Sequence, residues 1–151
     1  MKTPMLGPVL AVLVATSIAL SAAEPSKVDF IVSPQKSRNG DLIFIEEVLA
    51  SSPKFAPGEK VTVRGRYEVK SVDEAKLCLF LAQSVGSTNQ PMSRSQAIEI
   101  KKGSGKFELS EQIKHSGAFH VSLYRPDGTA IATVYFGKKA QVEKASRRKL
   151  E

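Results

Sequence analysis

The stretch VTVRGRYEV, residues 61–69, alternates strictly. Val61, Val63, Gly65, Tyr67 and Val69 fall on one side, and Thr62, Arg64, Arg66 and Glu68 on the other. A period of two matches the pleat of a strand with one face in a core and one in water, whereas a helix would scatter these residues round its circumference. APGEK, just before it, reads as a turn entry, with Pro57 fixing φ and Gly58 free to reverse the chain. The same pattern recurs along the chain. DLIFIEEVLAS precedes this strand, with Glu46 and Glu47 expected on opposite faces of it. AKLCLFLAQ is apolar on both faces, as a central strand would be. QAIEIKK and GKFELSEQI flank a GSG turn at 103–105, and RPDG is a turn between GAFHVSLY and TAIATVYFG.

With a further short strand at VDFIV, the body holds about seven strands and no helix. Strands at this spacing predict an all-β sandwich of two antiparallel sheets. A closed barrel is the rival, because alternation alone does not fix closure. A parallel α/β sheet is excluded by the lack of crossover helices.

Residues 1–23 differ in kind. MKTPMLGPVLAVLVATSIALSAA carries one cation, Lys2, then an apolar run ending in Ser21, Ala22 and Ala23. This is the pattern of a signal peptide cleaved after Ala23. A retained membrane anchor fits less well, since the apolar run is shorter than the ~20 residues of a span and Gly7 and Pro8 interrupt its start. No second apolar span follows. The expected divisions are a leader (1–23), a lead-in with a short strand (24–41), the sandwich (42–137) and a flexible basic tail (138–151).

The net charge of +7 is concentrated in that tail. Without Lys2 it is +6, of which residues 138–151 carry +4, from six cations against Glu143 and Glu151, leaving +2 for 24–137. The cations are Lys138, Lys139, Lys144, Arg147, Arg148 and Lys149. They suit an anionic surface such as lipid or acidic polymer. Nucleic acid is not an expected partner of an exported chain. A solubilising end is the simpler reading.

DLIFIEEVLASSPKFAPGEKVTVRGRYEV followed by AKLCLFL resembles the first half of bacterial immunoglobulin-like modules of the CARDB type. HSGAFHVSLYRPDG resembles a later strand of that fold, whose corner tyrosine in many relatives is replaced here by Phe119. The cysteine pair and core tryptophan of immunoglobulin domains are absent. The resemblance, over about 42–137, implies an immunoglobulin-like sandwich doing extracytoplasmic binding or structural work.

Catalytic spacing is missing: no GxSxG, no HExxH, and no nucleophile with an adjacent base. No catalytic, cofactor-binding or metal-binding residue is assigned. Cys78, the only cysteine, excludes a disulfide framework and reads as a buried thiol. His115 is placed in a corner and His120 on the outward face of GAFHVSLY, with Ser122 and Tyr124. A metal carrier built on His120 would need distant ligands, such as Met92. The candidate contact surface is Arg64 and Arg66 in one outward row, and His120 and Tyr124 in another. The expectation is an exported, non-catalytic binding or structural module of the cell envelope, with a protein or glycan partner. Specificity would reside in loops such as 84–96. The alternatives are an anchoring protein using its basic tail, or a metal carrier.

Overall fold

The computed structural model describes residues 24–37, 39–83 and 96–147. The leader, most of the 84–96 loop, Arg148, Lys149 and Met92 lie outside the described residues. Three two-residue strands lead in: β1 (Ser26–Lys27), β2 (Ile31–Val32) and β3 (Lys36–Ser37). Then follow β4 (Leu42–Ala50), β5 (Lys60–Gln83), β6 (Ala97–Gln112), β7 (Gly117–Tyr124), β8 (Ala130–Gly137) and a closing helix, α1 (Lys139–Arg147). The fold is all-β and antiparallel.

β5 organises it. Its 24 residues absorb both VTVRGRYEV and AKLCLFLAQ, which the sequence had divided. β6 runs along one edge of β5. The other edge takes β4 at residues 61–68 and β7 at residues 76–83. Between Val69 and Glu74 the β5–β6 register shifts, so the long hairpin turns a corner. β8 pairs with β7, and β2 and β3 pair with β8. The sheet curls until β4 and β8 approach each other, and the core fills its concave side.

Alternation is obeyed row by row. Val48, Val63 and Leu109 form one inward row, and Leu79, Val121 and Val134 another. Phe119 and Phe136, opposite each other on β7 and β8, are fully buried and stack at 5.4 Å. Burial of each such ring contributes about 2–3 kcal/mol. Phe119 thus occupies the core without needing the hydroxyl partner a tyrosine would.

The GSG at 103–105 is not a turn. β6 runs through it, with Gly103 opposite Val69 and Gly105 opposite Tyr67. The reason is space. A Cβ at Gly105 would overlap the Tyr67 ring, and one at Gly65 would overlap the Phe44 carbonyl oxygen and crowd Phe107. Two glycines, each opposite an aromatic ring, let the strands coil tightly there. RPDG does turn: Gly128 N–H donates to the Arg125 carbonyl at 2.9 Å and Thr129 N–H to Asp127 Oδ1 at 2.8 Å.

Residues 139–147 are helical and fold back against β7 and β8, with Val142 buried. A single apolar anchor suffices because the chain leaves β8 directly beside that surface.

Candidate contact surfaces

The outer face of β4, β5 and β6 is a grid of charges. Arg64 donates from Nε to Glu108 at 2.6 Å and from a terminal nitrogen to Glu47 at 3.0 Å, and Lys27 stands 3.8 Å from Glu47. Hydrogen bonds to Glu108, then to Glu47, hold the Arg64 guanidinium above its usual pKa. Arg66 donates to Glu46 and lies over the Phe44 ring, 5.4 Å from its centroid.

Glu46 and Glu47 were expected on opposite faces. A β-bulge at this point corrects that: Ile45 pairs with Gly65 and Glu47 with Arg64, leaving Glu46 as the extra residue. Both carboxylates therefore meet arginines on the outer face. The bulge is the signal that sequence alternation could not carry, although Gly65 opposite it is where one would look.

Phe44 is 42% exposed on this polar face, opposite Arg66. Two shallow depressions open on this face. One of about 240 Å³ runs between Phe44, Arg66 and Lys106; the other, about 600 Å³, lies between Lys27, Glu46, Arg64 and Glu108. Such a surface can present alternating charges and one ring edge to a partner.

His120 and Tyr124 lie elsewhere. Tyr124 pairs with Lys76, ten residues further along β5 than Arg66, or about 30 Å of strand. The two halves of the expected contact surface are thus separate. Nor is the second one open. Ser122, expected to face solvent, is 0% exposed, and His120 and Tyr124 are half-buried. The imidazole stacks on Phe80 at 4.8 Å and tilts over Tyr135 at 5.0 Å, while Phe80 meets Tyr124 edge-on. Beneath these rings runs a polar chain, His120 Nδ1 to Ser122 Oγ at 3.0 Å and Ser122 Oγ to Thr133 Oγ1 at 2.9 Å. Burial raises the pKa of both Tyr124 and Tyr135, and pushes the Cys78 thiol, in the same outer row as Ser122, up to about 11. A thiol so protonated is a poor nucleophile at neutral pH. The sequence divided β7 correctly but could not see that ring side chains from three strands roof its outer row.

His115 stands in the bend after β6, with Nδ1 3.3 Å from the Ser116 carbonyl. Among the described residues, no three His, Cys, Asp or Glu side chains gather as metal ligands would. No helix among them is long and apolar enough to cross a membrane. On α1, Lys139 and Lys144 are exposed, as is Lys138 before it.

Sequence reasoning missed Asp41. Its carboxylate, buried before β4, accepts the Lys70 N–H at 2.8 Å, the Ser71 N–H at 3.0 Å and the Ser71 hydroxyl. It pins the corner of β5. Burial opposes its charge, but the Ser71 hydroxyl, the two N–H donors and Arg125 outweigh it and lower the pKa. No protein-family model and no curated protein matches this chain.

Proposed function

We propose that the protein is an exported, non-catalytic binding or structural module of the cell envelope, built as an immunoglobulin-like sandwich. The outer face of β4–β5–β6 is its contact surface. The observation that carries this reading is Phe44: a large ring left 42% exposed under Arg66, on a sheet face otherwise given to paired charges. A ring flanked by a guanidinium, with polar groups around it, is the composition of an interface anchor and rim. The leader and the short-strand pattern supply the exported, sandwich-like setting. The partner class is a protein or glycan of the envelope.

The test compares wild type with a Phe44→Ser/Arg66→Glu double variant as bait against a solubilised envelope fraction, after circular dichroism shows equal folding. The expected result is a species retained by wild type and lost by the variant. Identical retention of every species removes this face from the reading.

A second reading is favoured by α1. Its one buried anchor, Val142, faces the sheet, while Lys138, Lys139 and Lys144 are exposed. The helix then holds the domain to an anionic surface by charge. Lysine-to-glutamate changes at 138, 139 and 144 keep Val142 in place and should abolish salt-sensitive retention on anionic vesicles. Unchanged retention sets this reading aside.

A further inference from the structure

Residues 51–59 close one end of the curled sheet. Phe55 enters the core there, its ring centroid 6.0 Å from that of Phe119. It does so from a left-handed backbone with φ 52°, a conformation that persists in a non-glycine residue only when its surroundings hold it. The ties are visible. The Glu59 carboxylate accepts the Ser52 hydroxyl at 2.6 Å and the Ala56 N–H at 3.1 Å. Gly58 N–H donates to the Ile113 carbonyl, and Ile113 N–H to the Glu59 carbonyl, each at 2.7 Å. The plug is thus fastened to the residue just beyond β6.

Two residues before that fastening stands Glu111. It belongs to the inward row Phe107, Leu109, Glu111, Ile113, level with Val61 and Ala50 across the sheet, and is only 9% exposed. Oε1 accepts the Gln112 N–H at 3.0 Å, while Oε2 is buried with no hydrogen-bond partner. The charges near it are few. β4 and β5 offer Ala50 and Val61 in its row. The Glu59 carboxylate is committed to Ser52 and Ala56, Lys60 is exposed opposite Gln112, and Lys114 acts on Glu111 only through space. Burial, the largest influence, raises its proton affinity, against the Gln112 N–H and Lys114.

We propose that Glu111 is a proton-operated latch for the Phe55 plug. Neutral Glu111 stays seated in the core row and keeps the end of β6 fastened to residues 58–59. Ionised Glu111 lacks donors for its second oxygen, so its charge draws the strand end toward water and loosens the plug. The folded state holds this proton more tightly than the unfolded chain does. Stability from the latch is therefore complete below the ordinary glutamate value and is lost as pH rises through the folded-state value.

The test is amide hydrogen exchange, corrected for intrinsic rates, at Gly58, Ile113 and Val121 between pH 4 and 8. In wild type, protection of Gly58 and Ile113 should fall relative to Val121 as pH rises. Glu111→Gln should keep that protection across the range. Matching profiles in wild type and variant overturn the proposal, as does a loss shared equally by Val121. Carbon-13 titration of the Glu111 carboxyl in wild type needs no variant to fold: a value above that of an exposed glutamate supports the latch, and one at or below it overturns it.

Discussion

Asp41 and Glu111 are both carboxylates withdrawn from water, and the number of donors around each decides its charge. Asp41 meets three donors and is held ionised, while Glu111 meets one and is pushed toward its neutral form. Asp41→Asn leaves an acceptor but removes the charge, and should cost about 1–2 kcal/mol at neutral pH. Because the folded-state pKa is lowered, the stability Asp41 contributes is present above the ordinary aspartate value and lost as pH falls through the folded one. Denaturant titrations should accordingly show the gap between wild type and Asp41→Asn narrowing under strong acid. A gap of constant size would mean that the Asp41 charge is not what holds the β5 corner.

At the scale of elements, glycine chemistry and helix packing separate what could be read from what could not. Gly105→Ala should cost about 1–3 kcal/mol, since the new methyl meets the Tyr67 ring. The Tyr67→Ala background should recover part of that loss, and additive losses would break the pairing of these two residues. Strand positions were legible because alternation reports burial: Val61, Val63 and Val69 turn inward as their spacing says. GSG was misread because a glycine that frees a turn and a glycine that makes room for a ring look alike in one sequence. The bulge at Glu46 and the ring roof over Ser122 depend on partner strands, so residue order alone could not place them. α1 was hidden for a similar reason. One valine is too little to mark an amphipathic helix, yet it finds a preformed sheet. Val142→Ala should cost about 1–2 kcal/mol by lost burial, measured by thermal or chemical unfolding. Lys144→Ala on the same helix should fall within about 0.5 kcal/mol of wild type.

For the whole molecule, the buried core and the proposed contact surface lie on different faces of one sheet. The concave face holds the aromatic core, and Phe119→Ala should cost about 3–5 kcal/mol because the rings of Phe55 and Phe136 cannot collapse fully into the space left. The convex face carries exposed ion pairs, each contributing about 0–1 kcal/mol and screened by salt. The two should therefore differ in their sensitivity to ionic strength. Raising salt from 0.1 to 1 M shortens the screening length from about 10 to about 3 Å. The denaturation midpoint, measured with urea so that the denaturant adds no ions, should move little, because the core is not electrostatic. Capture through the Arg64–Arg66 face should weaken strongly over the same range. If unfolding tracks salt as steeply as capture does, the charge grid is part of what holds the sheet together, and its residues lose their claim to be a surface kept for a partner.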